Sequence, residues 1–233
     1  MKPLDWSYEL HVIGTRPKAL PLLDFAELVR RFADLLGNAD MVHFGALRPG
    51  SARILAKVDE KGGWLWYTAR SGDNHMLVQL HKVRFDGSKD TRLTDPKLTH
   101  RVDISPDGKF FVDVEQAHDK APVSRVRDEN GKLLVEIASS DLSRFDTLGL
   151  KRAEFFTFTS ADGKTPLYGQ LQFPSNFDPS KKYPMLVSVY GGPASVGLSE
   201  SFVNANPLAE YGFLMLKLDA RTNLGRGRKI LDS

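Results

Sequence analysis

Lys182-Tyr183-Pro184-Met185-Leu186-Val187-Ser188-Val189-Tyr190-Gly191-Gly192-Pro193 is the stretch on which the reading of this chain turns. Met185 to Tyr190 is a nearly continuous apolar run. It predicts a buried strand covered on both faces, as in a parallel sheet flanked by helices. Pro184 can open such a strand, because a first residue need not donate to the ladder. Gly191 and Gly192 then permit positive φ and close backbone approach, and Pro193 fixes the exit direction. In open α/β sheets ligands bind off the carboxyl ends of the strands, and Tyr190 sits at such an end.

On either side of this run the chain keeps building strands. Phe155 to Thr159, the Asp162-Gly163 turn and Leu167 to Phe173 predict a hairpin. Within it Leu167, Gly169, Leu171 and Phe173 face one way and Tyr168, Gln170 and Gln172 the other. After the turn, Glu200 to Tyr211 predicts a helix in its later half, with Pro207 near its start. Phe213 to Leu218 predicts a second apolar strand ending at Asp219.

Upstream, Ser51 to about Leu142 reads as short strands punctuated by tight turns. The strands are Ile54–Val58, Trp64–Ala69, Met76–Phe85, Val102–Ser105, Phe110–Val114, Val123–Arg127 and Leu133–Ile137. Phe110, Val112 and Val114 alternate with Phe111 and Asp113. Asp86-Gly87, Pro106-Asp107-Gly108 and Asn130-Gly131 are turn sequences. Such spacing suits a sandwich, a barrel or propeller blades. Leu142 to Leu150 reads as the crossing into a second domain. Residues 1–50 stand apart. Leu22 to Leu36 there has a helical period, and both a partner-docking helix and a plain surface helix fit it.

Composition narrows the function classes. An apolar fraction of 41% and a charged fraction of 26% are ordinary for a globular protein. A net charge of +3, with acids interleaved among the bases, gives no case for nucleic-acid binding. Cys is absent, which excludes disulfides, a thiol nucleophile and a cysteine metal site. No apolar run reaches membrane-spanning length. Met1 to Trp6 shows no signal-peptide pattern, and the compartment is open between cytoplasmic and periplasmic or secreted.

From about Gly63 onward, an ordered set of motifs resembles the prolyl oligopeptidase family of serine peptidases, in particular its dipeptidyl peptidase IV branch. The set runs Thr91-Arg92-Leu93-Thr94, His100-Arg101-Val102-Asp103-Ile104-Ser105-Pro106-Asp107-Gly108-Lys109, Phe173-Pro174 and Phe177-Asp178-Pro179. Then come Tyr183-Pro184, the Tyr190-Gly191-Gly192-Pro193 turn and Leu218-Asp219-Ala220-Arg221. The resemblance implies an incomplete all-β set of propeller blades followed by the N-terminal half of an α/β-hydrolase domain. On that reading residues 51–148 are partial propeller and 149–233 partial peptidase domain. Seven strands make under two blades, against about 4–8 blades in a closed ring, so the propeller part is expected to be incomplete.

The resemblance also implies the chemistry: cleavage of peptides, as a dipeptidyl or oligopeptidase with post-proline preference, by a Ser-Asp-His mechanism. It needs no cofactor and no metal, takes peptide substrates and leaves room for a homodimeric parent. It places the hydroxyl of Tyr190 as an oxyanion-hole donor, where positioned donors stabilise developing charge. Gly191, Gly192 and Pro193 shape that turn. Asp219 and Arg221 are read as a structural pair near the site, with Ala220 and Thr222 standing where relatives commonly carry glycine. The nucleophile of such an enzyme needs a G-x-S-x-G elbow, followed by an acid and then a histidine. No such elbow occurs, Ser195 sits in an unsuitable context, and all six histidines precede the hydrolase segment. The chain alone is therefore expected to be inactive, as a fragment. Glu115 and Asp119 read as ordinary solvated acids, and His75 and His81 fall on opposite ends of one strand, too far apart to share a metal. Two alternatives stay open: a non-catalytic peptide- or partner-binding module, and a relative that hydrolyses esters or acylated amino termini.

Overall fold

The computed structural model describes residues 53–189 and 198–221. The helical pattern of Leu22 to Leu36, with Ser195, lies outside them. Among the described residues the fold is three four-stranded sheets and two short helices. The first sheet is an antiparallel meander of β1 (Arg53–Asp59), β2 (Trp64–Arg70), β3 (Val78–Arg84) and β4 (Thr91–Arg92). The second repeats that order with β5 (Thr99–Ile104), β6 (Phe110–Gln116), β7 (Val123–Asp128) and β8 (Leu133–Ser139).

The count corrects the expectation of seven strands. Thr91–Arg92 is an eighth, too short to carry any alternation, held to Lys82 and His81 of β3. Among the described residues both sheets therefore have four strands. Met76 and Leu77, expected at the start of β3, instead sit buried in the preceding turn. The expected turns are where glycine was needed. At Asn130-Gly131 the chain has φ +85°, and an added Cβ would fall on the Leu93 carbonyl oxygen. Only glycine meets both demands without strain.

Two clusters hold these sheets together. On one face of β2, Leu65, Tyr67 and Ala69 pack with Val83. On the other, Trp66 and Leu80 pack with Leu93 and with Phe111 of the second sheet. Full burial of a side chain of this size stabilises by about 1.5–3 kcal/mol, so the second cluster fastens sheet to sheet.

The faces of β6 are reversed relative to a polar-out rule. Phe111, Asp113 and Glu115 point inward, while Phe110 and Val112 are exposed. Buried carboxylates are tolerated only when paired and hydrogen-bonded, and here both are. Arg127 of β7 donates from Nε to Asp113 at 2.9 Å and from Nη2 to Glu115 at 2.7 Å. Arg125 pairs with Glu115 and Glu136. His100 of β5 meets Asp113 through Nδ1 at 2.8 Å and the Asp95 carbonyl through Nε2 at 2.9 Å. Both ring nitrogens thus face oxygen acceptors. The reading of Glu115 as a solvated acid is corrected, since it is buried in this network; Asp119 is exposed.

Helix α1 (Ser143–Thr147) leads from the second sheet into the third. There β9 (Glu154–Thr159) and β10 (Pro166–Gln172) form the expected hairpin. Its two-faced pattern is not a simple in and out, because Leu167, Gln170 and Gln172 are all buried. Gln172 donates to the Asn204 carbonyl at 3.1 Å, which satisfies its amide inside the fold. β11 (Met185–Ser188) and β12 (Leu214–Leu218) complete the sheet in the order β11-β12-β10-β9. β11 and β12 are parallel, while β12 and β10 are antiparallel. Helix α2 (Pro207–Glu210) lies between β11 and β12 in sequence, capped by the Asn206 side chain accepting from Leu208, with proline in its first turn as expected.

The strand expected to be covered on both faces is corrected. β11 exists, but it is the edge of its sheet and its side chains are exposed among the described residues, Val187 by 50%. An apolar run cannot by itself say whether neighbours are present to cover it. No helix among the described residues is long and apolar enough to cross a membrane.

Candidate functional site

Parallel pairing brings the carboxyl ends of β11 and β12 to the same edge of the third sheet, with Ser188 opposite Lys217. The chain leaves that edge at Val189 on one strand and at Asp219 on the other. Tyr190, Gly191, Gly192 and Pro193, the residues singled out beyond β11, lie outside the described residues. Asp219 and Arg221 are described, and they go to different partners rather than forming a pair.

Asp219 is buried, and its backbone N–H donates to the Tyr168 carbonyl at 2.8 Å. Its carboxylate faces His75 Nε2 at 3.4 Å, and the His75 ring tilts against Tyr168 at 5.2 Å. Its own Oδ1 also accepts from the Ala220 N–H at 3.1 Å, which fixes the turn that follows β12. Arg221 reaches away to Asp162 in the β9–β10 turn at 2.8 Å. Arg70 lies close enough to feel the Asp219 charge; burial nevertheless pulls its guanidinium below its ordinary pKa.

The first two sheets meet the third along a polar seam that local sequence does not signal. Glu200 is 5% exposed and receives donors from both sheets. Asn74 Nδ2, from the β2–β3 connection, donates to Oε2 at 3.1 Å. The His118 backbone N–H, from the β6–β7 connection, donates to Oε1 at 3.4 Å, and the His118 ring bonds to the same oxygen. The ring in turn sits edge-on to Phe155 of β9 at 4.4 Å. Burial raises the Glu200 pKa, but the hydrogen bonds from His118 and Asn74 outweigh it, and the carboxyl is held below the ordinary glutamate value. Two residues on, the Phe202 N–H donates to the Gln116 side chain at 3.0 Å. Beside His118, a cleft of about 440 Å³ is lined also by Asp119, Lys151, Arg152, Glu154 and Phe155. Arg152 there is tied to the Asp119 carbonyl and to Asp146, so its charge is already matched.

A metal constellation was not expected, yet His100, Asp113 and Glu115 bring one ligand atom each within 4.8 Å of one another. Strand pairing does this, since His100 lies opposite Glu115 in the β5–β6 register. The carboxylates are taken up by Arg125 and Arg127, whose charges oppose a cation at the same place. A second chain of side chains also depends on folding. Ser71 Oγ meets His81 Nε2 at 2.6 Å, His81 Nδ1 meets Asp90 at 3.2 Å, and Tyr67 donates to Asp90 at 2.8 Å. With Asp90 partly exposed just before β4, this network ties the start of β4 to β2 and β3.

No protein-family model matches the chain. Human dipeptidyl peptidase 8 is 29% identical over 192 residues, covering 69% of this chain and 21% of that protein. Dipeptidyl peptidase 4 of Trichophyton equinum is 27% identical over 201 residues, covering 79% of this chain and 25% of that protein. The chain is thus similar in sequence to peptidases of the dipeptidyl peptidase IV type. A crystal structure of a Bacteroides ovatus protein assigned as a dipeptidyl aminopeptidase IV shares its fold, with a TM-score of 0.64 at 24% identity. That match covers 78% of this chain and 27% of the other. The chain thus spans about a fifth to a quarter of the length of these proteins.

Proposed function

We propose that these residues form part of a serine-type peptidase that hydrolyses peptide bonds, releasing dipeptides or short peptides with a preference for cleavage after proline. The first two sheets act as propeller blades, and residues from about 149 onward open an α/β-hydrolase domain. The observation that carries the reading is the parallel pair β11 and β12, whose carboxyl ends share one edge. Tyr190 follows the first strand by two residues, and Asp219 follows the second directly. Ligands of open α/β sheets bind off that edge. The sequence similarity to dipeptidyl peptidases supports the same assignment.

In the proposed reaction a serine hydroxyl attacks the scissile carbonyl while a histidine takes its proton, and the carbonyl oxygen becomes an oxyanion. Tyr190 donates its phenolic hydroxyl to that oxygen, and Gly191, Gly192 and Pro193 aim it. Serine, acid and histidine come from outside these residues, so the chain alone is expected not to turn over substrate. Asp219 acts here through structure, held by Tyr168 and His75. The test is Tyr190→Phe in the complete peptidase, assayed on a proline-containing dipeptide amide. Loss of one oxyanion donor lowers kcat by about 10²–10³. Unchanged kcat would remove Tyr190 from the mechanism.

A further inference from the structure

Ser71, His81 and Asp90 stand in an order that a plain staple between strands does not require. Ser71 Oγ lies 2.6 Å from His81 Nε2, and His81 Nδ1 lies 3.2 Å from an Asp90 carboxylate oxygen. A carboxylate can only accept, so in the neutral ring Nδ1 carries the proton and Nε2 keeps the lone pair. The Ser71 hydroxyl therefore donates to Nε2, the relationship by which an oriented histidine activates a serine. Tyr67, 1% exposed, holds both partners of that histidine in place. Its ring stacks on His81 at 5.0 Å with 20° between the planes, and its hydroxyl donates to the other Asp90 oxygen at 2.8 Å. Register explains the grouping, because Tyr67, His81 and Arg92 lie directly opposite one another across β2, β3 and β4. Ser71 follows the last residue of β2, in a turn that is closely packed from behind. A Cβ added at Gly72 would come within 2.7 Å of the Pro96 carbonyl oxygen. Arg92 Nη1 donates to the Ser71 carbonyl at 3.1 Å, which sets a guanidinium with further N–H donors beside the same residue. Ser71 is partly exposed and the His81 side chain is 13% exposed, an opening that suits a small acyl group.

We propose that Ser71, His81 and Asp90 form an esterase site for short-chain carboxylic esters. The inference goes beyond the peptidase reading and uses none of its residues. The Ser71 oxygen bonds to the ester carbonyl carbon as His81 Nε2 takes the hydroxyl proton, while Arg92 faces the developing oxyanion. The bond from that carbon to the alcohol oxygen then breaks, and His81 returns the proton to the departing alkoxide. Water adds to the acyl carbon by the same route. Its proton passes through His81 to the Ser71 oxygen, and the carboxylic acid leaves. Asp90 orients the ring throughout and touches no substrate.

The experiment uses the 233-residue chain, which carries no G-x-S-x-G elbow to contribute a background. An alkyl fluorophosphonate is added, the labelled residue is located by peptide mass spectrometry, and the rate of labelling is followed. The probe bonds its phosphorus to an activated serine oxygen with loss of fluoride. Hydrolysis of p-nitrophenyl acetate is measured alongside. Ser71 is expected to take the label and Ser71→Ala to lose it, together with the p-nitrophenolate release above the uncatalysed rate. His81→Phe should slow labelling by about 10²-fold or more, the low end of what a positioned base contributes. Asp90→Asn keeps the size of the side chain, so it tests the relay without removing the contacts of β4. It should slow labelling by less than His81→Phe does, since Asp90 is 42% exposed. Absence of label at Ser71 would overturn the proposal. So would labelling of Ser71 at the same rate in His81→Phe and Asp90→Asn, or ester hydrolysis that persists in full in Ser71→Ala.

Discussion

Replacing Arg127 with methionine keeps the aliphatic stem and removes the charge between two inward-facing carboxylates. Three hydrogen bonds go with it: to Asp113 at 2.9 Å, to Glu115 at 2.7 Å and to the Gly131 carbonyl at 3.1 Å. The Asp113 side chain is 0% exposed, so water cannot take over its bond in the native fold. Removing one partner of a buried ion pair costs about 3–5 kcal/mol. His100 still holds Asp113 and Arg125 still holds Glu115, which argues for the lower end of that range. With a urea slope of about 1–3 kcal/mol/M, the unfolding midpoint should fall by about 1–3 M at unchanged slope. Tryptophan fluorescence reads it, since Trp66 lies in the cluster that joins the first two sheets. Arg127→Lys, which keeps charge but not the planar fork, should fall between the two. A loss below about 1 kcal/mol in Arg127→Met would refute the reasoning, because that is the scale of a solvent-exposed pair.

Gly131→Ala should destabilise by about 1–3 kcal/mol, the cost of a non-glycine residue held at positive φ, and by more if the Leu93 carbonyl cannot withdraw. A shift in thermal midpoint measures it. His81→Phe breaks the links to Ser71 and Asp90 at the β4 edge and should cost about 1–2 kcal/mol, since one end of that chain is solvent-exposed. Hydrogen exchange should show the loss confined to the Thr91–Arg92 pairing. Glu200 supplies the pH dependence. Its folded pKa is depressed, so its contribution is fully present above the unfolded value of about 4.3 and is lost as pH falls through the folded value. A plot of stability against pH should drop on that acid side, and Glu200→Gln should flatten the drop; an unchanged acid limb would refute the assignment.

What the sequence by itself determined is local. The turns at Asp86-Gly87, Pro106-Asp107-Gly108 and Asn130-Gly131 need positive φ at glycine, a demand carried by a few adjacent residues, and the structure places positive-φ glycines at all three. Strands of seven residues show their alternation within themselves, and proline near the start of α2 carries its own restriction on φ. The tertiary structure decided everything that depends on residues distant in the chain. β4 is two residues long and exists only because β3 offers its free edge. Asp113 and Glu115 turn inward because β7 supplies Arg125, opposite Asp113, and Arg127, opposite Phe111, within reach of both carboxylates, a fact of register rather than of composition. The parallel match of β11 to β12, which brings Val189 and Asp219 to one edge, needs closure across the intervening segment. Glu200 reads as one more acid among serines until folding carries Asn74, 126 residues away, to its carboxylate. The cost of burying a charge is the same wherever it stands in a sequence; only the three-dimensional fold can say whether a partner is there to meet it.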